Sequence, residues 1–492
     1  MSTIQCSIVS AEKEIFSESV SMVVATGSMG ELGITPGHSQ LLTGIKPGPV
    51  KIVKENGEEE VFFLSGGFIE VQPDVVTLLS DVAIRAEDID EEQAEKAREA
   101  AEKIKSSKNP IIISGGGVFY SDAMEELSQF AIKHNIPVTQ TVMGYSTMKR
   151  DHSHYAGQIG GLGGKNTNTL AKETDLAIAV GTKLADFTTG SWANFENENF
   201  KLVSINVSRY DANKHLAQAV VGDAKVSLTE LSQALGDWKV GEDWNKKSQI
   251  ELKSWNEHID KESAPTNQEV PSYVQAIGAI YRNSDPTDIA VTAAGGLVGE
   301  VIQVWRPREL NTHETEWGFS CMGYEISGAL GIKMANPDKE VISFVGDGSY
   351  LLNNTDIYSS VITKNKLIII VCDNGGFAVI NRLQLFKGGK EYNNLLKSSN
   401  TPGLVDVDFA KHAESMGAKS EHVTSLSDLE AAFKRAKASD VTYVISIKTH
   451  AYKWVEGSSF WDSPTLEIPT TKENEEALKL YKEGKDKQRQ GV

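Results

Sequence analysis

The sequence is poor in cysteine. Only Cys6, Cys321 and Cys372 occur among its 492 residues, and they lie far apart in the chain. Disulfide scaffolds and structural zinc sites need cysteines in pairs or at short, regular spacing, so the sequence favours neither. This scarcity of paired cysteines fits a reducing compartment, and we predict a cytoplasmic location.

Long apolar segments and positive charge are also scarce. The longest purely apolar run is of the LIIIVC kind at 367–372, far too short to cross a bilayer. The N-terminus lacks the basic stretch followed by an apolar stretch that marks a signal peptide. There are 49 Lys and Arg residues against 67 Asp and Glu residues, a net charge of −18. We therefore expect no nucleic acid or anionic membrane as main partner, although a metal ion and backbone amides could still hold a phosphate.

What remains is ordinary globular composition, 40% hydrophobic and 24% charged, with a length that predicts about three folded units. Residues 1–86 contain short apolar runs separated by turn signals such as Asn56-Gly57 and predict a β-sandwich. Residues 87–108 predict a linker helix, with Asp90 as N-cap and Gln93 completing a capping box.

The rest of the chain alternates strands and helices. We predict one α/β domain over 109–262, a second over 263–470, and a helical tail over 471–492. Alternation of this kind indicates parallel sheets covered on both faces. The predicted fold is therefore multidomain, an all-β sandwich followed by two parallel-sheet α/β domains.

The strongest chemical motif lies between Val341 and Gly376. A strand ends at Gly346-Asp347-Gly348-Ser349, a predicted helix runs to about Ile362, and a second strand ends at Asp373-Asn374. Both strand ends point to one crevice, where open α/β sheets bind ligands. The glycines allow a ligand to approach the backbone, and Asp347 and Asn374 offer oxygens of the kind that Mg²⁺ prefers. Each half of the motif alone is an ordinary turn, but together they are specific.

This GDG motif, followed some two dozen residues later by Asn, resembles the diphosphate-binding signature of thiamine-diphosphate enzymes. The resemblance implies that Asp347, Asn374 and the Gly376 carbonyl bind Mg²⁺, which anchors the cofactor diphosphate. It also implies that Met322 supports the bent cofactor. The predicted cofactor-binding set is Met322, Gly323, Gly346, Asp347, Gly348, Ser349, Asn374 and Gly376.

The central domain is similar to that of the same enzymes. Its Gly115-Gly116-Gly117 does not make a dinucleotide fingerprint, because Tyr120 stands where a glycine is required. Segments such as EWGFSCMGYEISGALGIKMA and NGGFAVINRLQ most resemble the trihydroxycyclohexanedione hydrolases of inositol catabolism. An acetolactate-synthase-like enzyme is the alternative.

This resemblance implies hydrolysis of a C–C bond in a cyclic dione. The family's catalytic Glu sits in a pyrimidine-binding domain that we do not find in the sequence, so no catalytic residue is assigned. We therefore expect the isolated chain to be impaired. The predicted assembly is a homo-oligomer, or a hetero-oligomer with a chain that supplies the missing domain.

Residues 1–103 resemble the epsilon subunit of F-type ATP synthases instead, through IVSAEKEIFS and VVATGSMGELGITPGHSQLLTGIKPGPVKIV. The resemblance implies a fusion protein with rotor contacts through 1–86 and peripheral membrane association. An epsilon subunit that carries an enzyme fragment is the competing function. We interpret His38 as a surface turn residue, and His152 and His154 as a loop pair without a metal.

Overall fold

The structure is a computed structural model that describes residues 3–10, 14–80, 83–266, 270–401, 403, 406–455, 457 and 459–489. The chain divides into two compact units, Met1–Ala97 and Arg98–Val492. The first is built from β-strands and the second from two parallel sheets with helices.

The first unit is the predicted β-sandwich. Its strands join in the order β1-β8-β7-β4-β2-β5-β6-β9, with β3 beside β2, and β1 also pairs with β2. Alternate residues point inward, so Cys6, Val23 and Phe62 are buried in one apolar core. The strands are β1 (Ile4–Ser10), β2 (Glu14–Gly27), β3 (Gly30–Ile34), β4 (Leu41–Ile45), β5 (Gly48–Lys54), β6 (Glu59–Leu64), β7 (Gly67–Val71), β8 (Val75–Ser80) and β9 (Ala83–Arg85).

Helix α1 (Ala86–Lys105) follows β9 directly. The predicted N-cap at Asp90 is wrong, because the helix begins four residues earlier and Asp90 lies inside it. Ala86 and Glu87 are good helix formers, so the helix extends past the local capping signal. The side chains of 84–94 lie outside what the structure describes.

The second unit begins with a six-stranded parallel sheet in the order β12-β11-β10-β13-β14-β15. Its central strands are buried along their whole length, as expected of a sheet with helices on both faces. The strands are β10 (Pro110–Ser114), β11 (Val138–Gln140), β12 (Tyr155–Gln158), β13 (Leu176–Val180), β14 (Lys201–Asn206) and β15 (Gln218–Val221). The helices are α2 (Gly116–Tyr120), α3 (Met124–His134), α4 (Lys165–Glu173), α5 (Asp186–Thr189), α6 (Arg209–Asn213), α7 (Ala224–Leu235) and α8 (Glu242–Glu262).

The glycines after β10 allow a close approach between two backbone segments. A Cβ atom on Gly115 would lie 2.4 Å from the Gly181 carbonyl oxygen, and one on Gly117 would lie 2.6 Å from the Gly181 Cα. Both glycines are therefore needed where this turn meets the end of β13. This contact supports the structural interpretation of the glycine run.

The last sheet has the order β17-β16-β18-β19-β21-β20, and all its strands are parallel. Its strands are β16 (Ile289–Thr292), β17 (His313–Thr315), β18 (Val341–Gly346), β19 (Ile368–Asp373), β20 (Lys419–Val423) and β21 (Tyr443–Lys448). The helices are α9 (Tyr273–Asn283), α10 (Gly296–Val304), α11 (Tyr324–Ala335), α12 (Asp347–Leu352), α13 (Asp356–Ile362), α14 (Ala378–Phe386), α15 (Phe409–Ser415), α16 (Leu426–Lys437) and α17 (Lys472–Lys487).

One predicted helix differs from the structure. The helix expected from the GDG motif to about Ile362 is broken into α12 and α13, because Asn353 adopts an extended conformation. The break falls at Asn353-Asn354-Thr355, residue types with low helix propensity. Within the described part of the chain, every helix is too short or too polar to cross a membrane.

The histidines at 152 and 154 lie in a turn and bind protein groups. His152 Nε2 lies 3.0 Å from the Ser128 hydroxyl, and His154 Nε2 lies 3.0 Å from Asn135 Oδ1. The described residues contain no group of three His, Cys, Asp or Glu side chains that could hold a metal ion. The loop interpretation is consistent with these contacts.

Candidate functional site

The carboxyl ends of β18 and β19 carry the predicted site. The two strands are parallel neighbours, and Gly346 lies opposite Cys372 at the end of the ladder. Asp347 and Asn374 therefore leave adjacent strands at the same edge of the sheet. This is the place where open α/β sheets bind their ligands.

Asp347 is a buried carboxylate with a free oxygen. Burial, and next the negative charge of Asp373, raise the pKa of Asp347 from 3.8 to about 7. The backbone N–H groups of Asn374 and Gly376 oppose this shift, which places both residues beside the carboxylate. Among the residues that the structure describes, nothing hydrogen-bonds to Asp347 Oδ1.

Asn374 presents a second free oxygen. Its Oδ1 is buried and also has no hydrogen-bond partner among the described residues, whereas its Nδ2 donates to the hydroxyl of Tyr273. Unsatisfied buried oxygens are costly, so two of them at one sheet edge fit a site that could accept a cation. One carboxylate oxygen, one amide oxygen and a nearby carbonyl fit the oxygen ligands that Mg²⁺ takes beside phosphate and water.

Gly376 can adopt its conformation only as glycine. Its φ is +140°, and a Cβ atom would lie 2.5 Å from the Asn394 carbonyl oxygen. An antiparallel β-bridge between Gly376 and Leu395 holds the backbone around Gly376 in this conformation. This contact sets the backbone that carries the third predicted ligand, the Gly376 carbonyl.

Gly348 and Met322 lie next to each other. A Cβ atom on Gly348 would lie 2.6 Å from Phe377 Cε1 and 3.5 Å from the methyl group of Met322. Met322 remains 37% exposed although it borders this turn. A flexible apolar side chain that is open to solvent beside the GDG motif is available to contact a ligand.

Gly323 and Ser349 surround a buried carboxylate that the sequence did not point out, Glu325. Gly323 N donates to Glu325 Oε2 at 2.8 Å, and Ala294 N donates to Oε1 at 3.2 Å. Burial raises the pKa of Glu325, while these donors and the Ser349 side chain oppose the rise. Glu325 thereby joins the turn before α11 to the end of β16.

The structure thus brings Asp347, Asn374 and Gly376 together and sets Met322 beside Gly348. Gly346 ends β18 directly before Asp347. The assignment of these residues to a metal and a cofactor stays a prediction. Glu325 and Tyr273 were not assigned to the site from the sequence. Each lies at the start of a helix, and the sequence around it predicts only that start.

Comparison with known families identifies three segments of the chain. The model for the thiamine pyrophosphate enzyme central domain matches residues 97–231, and that for the C-terminal TPP binding domain matches 293–447. The model for the ATP synthase Delta/Epsilon chain beta-sandwich domain matches 3–86. The second unit therefore contains the central and cofactor-binding domains of a thiamine pyrophosphate enzyme.

The most similar relatives that we compared narrow the class of thiamine pyrophosphate enzyme. A Bacillus licheniformis protein named 3D-(3,5/4)-trihydroxycyclohexane-1,2-dione hydrolase is 34% identical over 448 residues, which cover 83% of this chain and 70% of that protein. Proteins of the same name from Bacillus anthracis and Geobacillus thermodenitrificans are 36% and 35% identical, over 61% and 64% of their lengths. The chain belongs to this hydrolase family and spans 61–70% of the length of these relatives.

Proposed function

We propose that the second unit is the metal- and cofactor-binding part of a Mg²⁺-dependent hydrolase that opens a cyclic dione. The observation that carries this proposal is a pair of buried oxygens, Asp347 Oδ1 and Asn374 Oδ1, at the carboxyl ends of two adjacent strands, neither of which has a hydrogen-bond partner among the residues that the structure describes. Thiamine diphosphate, when bound, supplies the electron sink that breaking a C–C bond next to a carbonyl requires.

The chain's own residues bind and orient in this proposal. Asp347, Asn374 and the Gly376 carbonyl would hold Mg²⁺, through which the diphosphate would be anchored. Gly346 and Gly348 leave room for the diphosphate beside the backbone. This binding mode needs no Lys or Arg, which agrees with the net charge of −18.

The remaining cofactor-binding residues flank this centre in the proposal. Ser349 lies two residues after Asp347 and is almost fully buried. Met322 and Gly323 lie on the other side of the GDG turn, where the Met322 methyl group approaches Gly348. We assign Met322 the role of apolar support for the cofactor rings.

We also propose that another chain completes the active site with a pyrimidine-binding domain and its carboxylate. Large apolar side chains near the site are exposed: Phe319 by 91%, Leu352 by 63% and Phe377 by 44%. Exposed apolar side chains clustered around a site are typical of an interaction surface. A second copy of a longer relative, or a different subunit, would cover this surface.

Calorimetric titration of the chain with thiamine diphosphate in the presence of Mg²⁺ tests the site. We expect binding to the wild type and loss of binding in Asp347→Ala, because the variant lacks the only carboxylate ligand of the proposed set. Asp338→Ala, which changes an exposed carboxylate of the same domain, is the matched control. Equal binding by wild type and Asp347→Ala would contradict the assignment.

The rate of dione hydrolysis tests whether the chain needs a partner that completes the active site. We expect the purified chain alone to hydrolyse the cyclic dione at a small fraction of the rate reached after mixing with a full-length relative. Full activity of the chain alone would show that no second chain is needed.

The first unit supports a second candidate function, docking on the rotor of an ATP synthase. Leu42, Phe68 and Leu79 are 72%, 58% and 47% exposed on the neighbouring strands β4, β7 and β8. Phe68 lies directly opposite Leu79, so the apolar patch is continuous there. Co-sedimentation with purified rotor subunits tests this candidate, and Phe68→Glu should abolish the binding if the patch is the contact.

A further inference from the structure

The middle of the loop that carries Met322 is exposed. This loop, residues 317–323, connects β17 to α11. The Phe319 side chain is 91% exposed, Cys321 is exposed, and Met322 is 37% exposed. Ser320 has a φ of +52°, a left-handed conformation that is unfavourable for a residue with a side chain. Such a loop keeps one conformation only where specific bonds hold its backbone.

Two carboxylates bind alternate N–H groups of this loop. Phe319 N donates to Glu316 Oε1 at 2.8 Å, and Cys321 N donates to Glu316 Oε2 at 2.6 Å. Gly323 N donates to Glu325 Oε2 at 2.8 Å. A peptide N–H can only donate and an ionised carboxylate can only accept, so each of these bonds has a single direction. Glu316 thus uses both of its oxygens to hold the loop.

Both carboxylates belong to residues anchored in regular structure. Glu316 follows directly after β17, and Glu325 lies in the first turn of α11. Glu325 is 1% exposed, and its other oxygen, Oε1, accepts from Ala294 N at 3.2 Å, just beyond the end of β16. Ser320 Oγ donates to the neighbouring Ala293 carbonyl at 2.8 Å. The loop is therefore tied to two strands of the sheet that carries the GDG motif.

The position of this loop decides where Met322 lies. A Cβ atom on Gly348 would lie 3.5 Å from the Met322 methyl group, and one on Gly323 would lie 2.5 Å from Asn353 Cβ. Met322 and Gly323 therefore lie against the two ends of α12, the short helix of the GDG motif. The proposed metal ligands follow other strands, so a displaced loop would move Met322 without moving those ligands.

We propose that Glu316 and Glu325 are positioning residues, which hold the 317–323 loop so that Met322 supports the rings of the cofactor. The inference rests on the proposed function, because it assumes that thiamine diphosphate binds beside the GDG motif. Neither carboxylate touches the ligand in this proposal, and both act through Met322. A loop that is correctly placed for only about a tenth of the time lowers the apparent affinity about tenfold.

Calorimetric titration of the full chain with thiamine diphosphate and Mg²⁺ tests the role of Glu316. In Glu316→Gln the side chain has one oxygen and one NH₂ group, so one of the two loop N–H groups would face the NH₂ group, whichever way the amide points. We expect this variant to bind thiamine diphosphate about tenfold more weakly. Glu314→Gln, a neighbouring change on β17, is the matched control and should bind as the wild type does.

Glu325→Gln tests the second carboxylate in the same way. It too leaves one of two N–H groups opposite an NH₂ group, here that of Gly323 or that of Ala294. We expect a similar loss of affinity for thiamine diphosphate. Wild-type affinity in this variant would remove Glu325 from the proposal.

Inorganic pyrophosphate with Mg²⁺ separates the position of the loop from general structural damage. Pyrophosphate carries the charged part of the cofactor without the rings, so Met322 has nothing to support. We expect Glu316→Gln and the wild type to bind pyrophosphate within about twofold of each other. Equal weakening of pyrophosphate and thiamine diphosphate binding would overturn the positioning role.

A second background tests whether the carboxylates act through Met322. In Met322→Ala the apolar support is absent, so the placement of the loop has little left to position. We expect Glu316→Gln to change the affinity for thiamine diphosphate by less than about twofold in that background. A loss as large as the one seen with Met322 present would overturn the inference.

The outcomes also separate this inference from the proposed function. Loss of binding in Asp347→Ala together with wild-type affinity for thiamine diphosphate in Glu316→Gln would overturn the inference and leave the proposed function intact. Wild-type binding in Asp347→Ala would overturn both.

Discussion

Among single residues, Glu300 of α10 is notable because its carboxyl group is buried. It is 4% exposed, and burial raises its pKa from 4.5 to about 7, although a hydrogen bond from Val455 N and the charge of Arg382 oppose the shift. The folded chain therefore binds this proton more tightly than the unfolded chain does. Because of this difference, Glu300 lowers the free energy of unfolding as the pH rises from about 4.5 to 7.

We predict that Glu300→Gln abolishes this contribution. Glutamine keeps an oxygen that can accept from Val455 N but does not titrate. Between pH 4.5 and 8 the free energy of unfolding of the variant should gain roughly 3 kcal/mol relative to the wild type. Urea denaturation across this range measures the difference.

The exposed Glu475→Gln is the control for this experiment and should show no such trend. A constant difference in free energy of unfolding between Glu300→Gln and the wild type would contradict the assigned pKa.

Single residues also show where sequence reasoning succeeds and where it stops. Asp347 and Asn374 were predictable as neighbours, because both follow strands of one βαβ unit and parallel strands end at the same edge. Tyr273 was not, because it lies about a hundred residues earlier and meets Asn374 only through the packing of α9. Ser272 and Gln275 predict a helix start by their spacing, but not what its first side chain touches.

At the scale of elements, the start of α7 depends on a side-chain cap. The Asp223 carboxylate accepts from Lys225 N at 2.9 Å and from Val226 N at 3.4 Å. It thereby satisfies two of the N–H groups that a helix leaves free at its beginning.

We predict that Asp223→Ala lowers the free energy of unfolding of the second unit by about 1 kcal/mol, through loss of this cap. Thermal or chemical denaturation measures the loss. Asp237→Ala, an exposed residue just after the same helix, should cost far less. Equal losses in the two variants would argue against a specific capping role.

Element boundaries were harder to predict than element types. The short apolar runs within 1–86 were predicted as strands of a β-sandwich, and two of these runs, 4–10 and 48–54, are β1 and β5. The cap signal at Asp90 was wrong, because helix propensity continues through the residues before it. The break at Asn353 was missed, because a single extended residue in a helical stretch depends on tertiary contacts, here with Gly323.

At the scale of the whole molecule, the apolar core of the first compact unit is separate from the apolar clusters of the second. Units with separate cores unfold as separate cooperative transitions. The length of the chain predicted about three parts, and the structure describes a β-sandwich and two α/β sheets, with both α/β sheets in one compact unit. The alternation of strands and helices in the sequence predicts the two α/β sheets. Their packing against each other depends on contacts between distant segments, such as the hydrogen bond from Tyr145 Oη to the Ile302 carbonyl at 2.6 Å.

We predict two transitions in calorimetry. Phe62→Ala should destabilise only the first unit, by about 3–5 kcal/mol, because Phe62 is fully buried against Phe16. Phe63→Ala, at the neighbouring and 42% exposed position, is the control. Thiamine diphosphate with Mg²⁺ should raise only the other transition. A single transition that moves in both experiments would contradict independent unfolding.

The strand order of the last sheet has a consequence for the chain during its synthesis. Strand β19 lies between β18 and β21, but β21 is translated roughly 75 residues later. At about 5–20 residues per second, the ribosome needs some 4–15 s to deliver that neighbour. During this time the apolar strand IIIVCD has one unpaired edge. The nascent chain therefore exposes an unpaired apolar strand edge just after its proposed metal ligands are made, and a chaperone that binds apolar strands would act in this interval.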